Sequence, residues 1–289
     1  MENKIIDGKH ISDLVKDELK VKVEDLKAKG ITPGLAVVLV GDNPASKIYV
    51  GSKKKACQYI GIKSFSYEMP NEVSEKEVLE LIDTLNHDPA VHGILVQLPL
   101  PAHIDEQKVL LAIDPSKDVD GFHPMSVGSL VVGAEGFVSC TPAGIIELLK
   151  RSNVDIEGKH CVVVGRSNIV GKPISMLLLK EHGTVTMCHS RTKNLGDIVK
   201  QADIIIAAVG VPKLITGDMI KEGAVIIDVG MNRLDNGKLC GDVDFDACIE
   251  KASLITPVPG GVGPMTIAML MNNCVISAAR LLEENIIDN

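Results

Sequence analysis

The chain has 289 residues, a formal net charge of −8, 45% hydrophobic residues, 2% aromatic residues and no tryptophan. That length suits two modest domains or one large one, and that apolar content excludes a disordered chain. The negative charge and the scarcity of rings argue against nucleic-acid binding, which needs a basic face and stacking platforms. The seven cysteines are odd in number and form no Cys-x-x-Cys pair, so the expectation is reduced thiols in a cytoplasmic protein. The opening "MENKIIDGKH" is too polar for a signal peptide, and no apolar run is read as long enough to span a membrane.

"HISDLVKDELKVKVEDLKAKG" sets Ile11, Leu14, Val15 and Leu19 on one helical face and stops at Gly30. "GLAVVLVG" is the wholly apolar, valine-rich run of a strand covered on both faces. A helix follows, with Asn43 as N-cap, Pro44 at its first position and Gly61 as its stop. "IKSFSYEM" reads as a strand. "SEKEVLELIDTLN" reads as a helix with the capping box Ser74–Glu77, and "VHGILVQL" as the next strand. This βαβαβ order predicts a parallel sheet flanked by helices.

A second series starts near Thr141: helix "TPAGIIELLKRSN", strand "HCVVVG", helix "IVGKPISMLLLKEHG", then strands "TVTMCH", "DIIIAAV" and "AVIIDVG". The last long helical pattern runs from Pro264 to about Glu284. Its apolar face of Ile267, Leu270, Met271, Cys274 and Ile276 to Ala278 must be buried, so the helix is expected to return to the N-terminal domain. The fold class is α/β with two sheets in two domains. The first is a parallel α/β domain, residues 1–139 completed by 264–289. The second is a Rossmann-type dinucleotide-binding domain, residues 140–263. The cleft between them is the expected ligand site.

In "VVVGRSNIVGKP", Gly165 follows a strand and precedes a helix, the context of a phosphate-binding turn. Backbone N–H groups at the helix start would face the pyrophosphate, and Gly171 would allow close helix–strand packing. The spacing departs from Gly-x-Gly-x-x-Gly, so an ordinary strand-to-helix turn stands as the alternative. The next strand ends in "CHSRTKN", with Ser190, Arg191 and Thr192 and no acid to hold ribose hydroxyls. Arg191, joined by Arg166, suits the extra phosphate of NADP. Two solvated surface arginines are the bland alternative.

Tyr49 and Lys53, spaced i, i+4, share a helical face, whereas Lys54 and Lys55 point elsewhere. Lys53 is either a general base with a depressed pKa or, more commonly for a lysine, a snorkelling surface residue. Gln97 lies at the carboxyl end of a buried strand, where open α/β sheets bind ligands. "SKDVDGFHP" offers Asp118, Asp120 and His123 without a third acid or histidine at a useful metal spacing, which favours Asp120 as a substrate acceptor. "TPVPGGVGPMT" is a rigid loop whose backbone can approach a flat ligand closely.

Together, "ASKIYVGSKKKAC", "VQLPLP", "KDVDGFHP", "VVGRSNIVGKP", "HSRT", "DVGMNR", "GDVDF" and "TPVPGGVGPMT" make the chain, over nearly its whole length, resemble the bifunctional methylenetetrahydrofolate dehydrogenase/cyclohydrolase family. The resemblance implies oxidation of methylenetetrahydrofolate by NADP, followed by hydrolysis of the methenyl product to formyltetrahydrofolate. It implies that Tyr49 packs on the aminobenzoate, that Lys53 is the catalytic lysine with Gln97 as partner, and that Asp120 is a ligand of the pterin. Gly165, Arg166, Ser167, Ser190, Arg191 and Met231 would line the NADP site, and the loop around Gly261 and Pro264 would close over the folate. It further implies a homodimer and no metal. The family usually has Asn at Ser126, Pro at Ser139, Ile at Met231 and Thr at Cys274. An NADP dehydrogenase of the shikimate type and a nucleotide-sensing module without turnover are the alternatives.

Overall fold

The computed structural model describes residues 4–287, with side chains through Leu281. The chain divides into two compact units, Asp13–Cys140 with Ile267–Asn289, and Met1–Ser12 with Thr141–Thr266.

The first unit holds most of α1 (Gly8–Ala28), then β1 (Gly34–Val40), α2 (Pro44–Ile60), β2 (Lys63–Met69), α3 (Glu75–His87), β3 (Gly93–Val96), α4 (Glu106–Leu111) and α5 (Pro124–Val132). Its sheet has the order β2-β1-β3, with both pairings parallel. All seven residues of the central strand β1 are buried, as its valine-rich sequence requires. Val38, Ile82, Leu85, Ile94 and Val109 belong to the packed layer between sheet and helices. The expected caps are present. The Asn43 side chain accepts from Ala45 N and Ser46 N, Gly61 closes α2 at φ 94, and Ser74 and Glu77 form a reciprocal capping box. On α1, Ile11, Val15 and Leu19 are buried but Leu14 is 42% exposed. Val23 and Leu26 continue the buried stripe instead, because its i, i+4 steps pass Leu14 by.

The second unit contains α6 (Cys140–Arg151, all but its first residue), β4 (His160–Val164), α7 (Gly171–Lys180), β5 (Thr184–Cys188), α8 (Leu195–Val199), β6 (Ile204–Ala207), β7 (Val225–Asp228), β8 (Asn232–Arg233), β9 (Leu239–Cys240), α9 (Phe245–Cys248) and β10 (Leu254–Ile255). Five parallel strands run β10-β7-β6-β4-β5, and β8-β9 adds a small antiparallel hairpin. Val162, Ile205, Ile226 and Ile255 are among its buried core residues. The first residues of the chain belong here and not with the catalytic domain, where they were expected. Ile5 bridges to Ile255, and Ile6 N donates to Ile255 O at 2.9 Å, so the N-terminus extends this sheet beside β10. Pairing over such a sequence distance leaves no local signal.

The last helix, α10 (Val262–Ile287), begins two residues before the expected Pro264. From Ile267 onward it belongs to the first unit, as its apolar face demands. Met271 Sδ accepts from Cys57 Sγ at 3.5 Å, Cys274 Sγ donates to Gly34 O at 3.5 Å, and Ser277 Oγ donates to His92 O at 2.6 Å. Ile276 departs from the expected face and is 37% exposed. The stretch Val262–Leu281 is, by length and composition, apolar enough to cross a membrane, contrary to the reading of the sequence. Its apolarity is explained by burial within the protein, where Leu270, Met271, Cys274 and Ala278 are all 1% exposed or less.

Candidate active site

In the first unit, α2 and the end of β3 bring Lys53 and Gln97 together. Gln97 N donates to Val38 O at 2.8 Å, which continues the strand pairing one residue past β3. The Gln97 amide is oriented at both ends, since Nε2 donates to Leu98 O at 2.8 Å and Oε1 accepts from Lys53 Nζ at 2.9 Å. Burial lowers the Lys53 pKa, and the charge of Asp120 opposes that shift. Burial raises Asp120 to about 6, with the Lys53 charge opposing and Asp118 reinforcing. A half-buried amine and a half-buried carboxyl are thus electrostatically coupled. Tyr49, one turn before Lys53 on α2, is 43% exposed, and Lys54 and Lys55 are exposed.

Cys140 was not anticipated from the sequence and carries no sequence signal. Its thiol donates to Val119 O at 3.3 Å, and burial together with Asp120 holds its pKa well above the ordinary value. It is therefore a protonated neighbour of the acid and no thiolate nucleophile.

The acids of "KDVDGFHP" separate by role. Asp118 accepts from Phe122 N at 3.2 Å, His123 N at 2.8 Å and Ser126 Oγ at 2.8 Å, and so folds the turn that precedes α5. His123 Nδ1 accepts from Met125 N at 3.1 Å and caps that helix. Asp120 is left to face Lys53. Among the described residues no three His, Cys, Asp or Glu side chains gather as a metal-binding group.

In the second unit, β4 and β5 are adjacent parallel strands with Val164 opposite Cys188, and Gly165 N donates to Cys188 O at 2.9 Å. This sets Gly165, Arg166 and Ser167 beside Ser190 and Arg191 at the carboxyl edge of the sheet. Arg166, Ser167, Ser190 and Arg191 are all exposed there. Gly165 has φ +139, and a Cβ on it would collide with Ala208 O; one on Gly171 would collide with Gly165 O. The close helix–strand approach expected of Gly171 is therefore present. The expected outward N–H groups at the start of α7 are not. Ser167 Oγ accepts from Val170 N at 3.1 Å and Gly171 N at 3.3 Å, and Ser167 O accepts from Lys172 N at 3.0 Å. The serine caps its own helix and occupies those donors.

Met231 follows β7, two strands away from β4, and is 46% exposed. Gly261 lies on the loop leading into α10 and Pro264 in the first turn of that helix, where Lys9 N donates to Gly260 O at 3.0 Å and Ser12 Oγ to Pro264 O at 3.0 Å. Both belong to the second unit, not to the unit of Lys53. The sequence reading also gave no role to Asn273 on α10 or to the acids of "DVGMNR" and "GDVDF".

The family model for the catalytic domain of tetrahydrofolate dehydrogenase/cyclohydrolase matches residues 6–120, and that for its NAD(P)-binding domain matches residues 139–282. "Bifunctional protein FolD" from Lachnoclostridium phytofermentans is 63% identical over 96% of this chain and 98% of its own. The crystal structure of the bifunctional FolD methylenetetrahydrofolate dehydrogenase/cyclohydrolase of Campylobacter jejuni superposes with a TM-score of 0.94 at 55% identity, over 96% of this chain and 98% of that one. The Trypanosoma brucei N5,N10-methylenetetrahydrofolate dehydrogenase-cyclohydrolase, solved with NADP cofactor and inhibitor, gives 0.92 at 40% identity, over 96% and 98%.

Proposed function

The chain belongs to the tetrahydrofolate dehydrogenase/cyclohydrolase family, and from that membership we propose how its own residues divide two reactions. It oxidises methylenetetrahydrofolate to methenyltetrahydrofolate with NADP and hydrolyses the product to 10-formyltetrahydrofolate. NADP, when bound, accepts the hydride.

The second unit suits the dinucleotide. Its carboxyl edge combines the glycine cradle at Gly165 with two exposed arginines on neighbouring strand ends and no acid after β5. Arg166, Ser190 and Arg191 hold the ribose phosphate, Ser167 shapes the turn by capping α7, and Met231 stands toward the nicotinamide. In the first unit, Tyr49 packs on the aminobenzoate and Asp120 accepts hydrogen bonds from the pterin.

The observation that carries the hydrolytic assignment is the Lys53–Gln97 pair at 2.9 Å, with burial holding the lysine below its ordinary pKa. The fraction of the amine that is neutral can point one N–H at Gln97 Oε1 and keep its lone pair for water. Water adds to the methenyl carbon and gives one proton to Lys53; as the C–N5 bond breaks, N5 takes up a proton and the carbinol O–H loses one, leaving the neutral formyl group on N10 and one proton released overall. Hydride transfer consumes no water and needs no such base. Lys53→Gln should therefore lose cyclohydrolase by about a hundredfold or more, and dehydrogenase by much less. Both rates on the purified, folded variant decide the matter. Parallel losses with a raised folate KM would reduce Lys53 to a pocket-shaping residue.

A cytoplasmic homodimer is part of the same proposal. It is supported by the resemblance and by seven free cysteines, and light scattering with fractionation tests it.

A further inference from the structure

Two carboxylates that the chemistry above does not use lie buried at the carboxyl edge of the nucleotide-binding sheet. Asp228, the last residue of β7, is 3% exposed, and Asp242, two residues past β9, is 0% exposed. Buried acids ordinarily pair with cations or bind metal. Among the described residues neither has a cationic partner: their donors are backbone N–H groups and one amide. Asp228 accepts from Gly230 N at 2.9 Å, Asp242 N at 2.9 Å and Val243 N at 3.0 Å. Asp242 accepts from Val209 N at 2.7 Å, Gly210 N at 2.9 Å and Asn232 Nδ2 at 2.9 Å.

The donors come from the loops that follow β6, β7 and β9 and, for Asn232, from the first residue of β8. The interlock is tight enough that a Cβ on Gly230 would strike the Asp242 carboxylate, and one on Gly241 that of Asp228. Met231 lies between Gly230 and Asn232, each tied to one of the two acids. The loop after β6 also lies against the Gly165 turn, since Ala208 O is the atom that a Cβ on Gly165 would meet.

We propose that Asp228 and Asp242 form a buried brace that positions the 208–210 and 230–232 loops, and with them Met231, to receive NADP. This rests on the assignment of Gly165 and Met231 to the cofactor site. Charge-assisted bonds to backbone N–H groups are stronger than neutral ones and draw the amides inward, which fixes what each loop presents outward. The two acids act through the loops and are positioning residues, not catalytic ones.

The test uses the full chain. Asp242→Asn keeps the shape but removes the charge and replaces one acceptor oxygen by an NH2 group. Calorimetric titration with NADP should show a dissociation constant raised about tenfold or more, with dehydrogenase activity reduced at least five times further than cyclohydrolase activity. Asn232→Ala removes a single partly exposed donor, so the fold is kept, and should weaken NADP about threefold. NADP affinity within twofold of the parent in folded Asp242→Asn overturns the brace. So do equal losses of the two activities. Where Asp242→Asn does not fold, unchanged affinity in Asn232→Ala overturns it. Arg166→Ala separates this from the cofactor assignment. If it leaves NADP binding intact while the Asp242 and Asn232 variants weaken it, the phosphate assignment fails and the brace stands. The reverse pattern removes the brace alone.

Discussion

At the scale of single residues, neighbouring acids in one short motif do different work because their surroundings differ. Asp118 and Asp120 are two positions apart, yet Asp118 spends its oxygens on two backbone N–H groups and Ser126, while Asp120 faces the Lys53 charge. The raised Asp120 pKa has a consequence for stability. A carboxyl near 4 in the unfolded chain and at about 6 in the folded one binds its proton more tightly when folded. Its contribution is thus fully present below pH ~4 and is lost as pH rises through ~6, about 3 kcal/mol in all. Thermal melts across that window should show this decline in the parent and a flatter profile in Asp120→Asn; identical profiles would mean that Asp120 titrates normally. The motif was legible as a place where acids gather. Which acid folds the turn and which faces the lysine was not, because that depends on Ser126, Lys53 and Cys140 converging from separate segments.

Among the elements, α10 shows how a helix far along the chain supports a site near its start. Asn273 is buried, and its Nδ2 donates to Val119 O at 2.9 Å and Val138 O at 3.0 Å, so it ties down the residue before Asp120 and the segment before Cys140. Asn273→Ala would take a donor from Val138 O and leave Val119 O only the Cys140 thiol, a loss of about 1–3 kcal/mol. The melting temperature should fall, and the folate KM should rise more than kcat falls. A stability loss with an unchanged KM would mean that α10 braces the unit without tuning the site. Helices with strong local signals, such as α2 with Asn43 and Gly61 and α3 with its capping box, were legible almost to the residue. The short α8 and α9 and the two-residue strands β8, β9 and β10 were not. They are too brief to show a period, and their backbone pairs with segments distant in sequence.

For the molecule as a whole, the division of labour makes cofactor choice and hydrolysis separable. Arg191 and Arg166 stand on adjacent strand ends in the unit that does not contain Lys53. Arg191→Ala should weaken NADP about tenfold or more and leave NAD nearly unaffected, since a charge-assisted bond to the ribose phosphate contributes roughly 1.5–3 kcal/mol. Arg166→Ala should act in the same direction. Dissociation constants for both dinucleotides check this; an unchanged NADP/NAD ratio in both variants would show that the arginines are ordinary surface charges.

What the sequence determined by itself is the α/β class, the parallel order of its strands, the positions of its main helices and the family. These rest on periodicity, caps and motif order, which are local or simply additive along the chain. It also marked Lys53, Gln97, Asp120 and the Gly165 turn as the places to look. Only the tertiary structure decided that Gln97 accepts from Lys53 while its own amide is pinned by Leu98 O, and that Ser167 takes up the N–H groups at the start of α7. It alone decided that the first residues of the chain join the sheet at Ile255, and that Asp228 and Asp242 clasp three loops. Each of these is a hydrogen bond whose partner is chosen by three-dimensional proximity and burial, and neither is encoded by the spacing of residues along the chain.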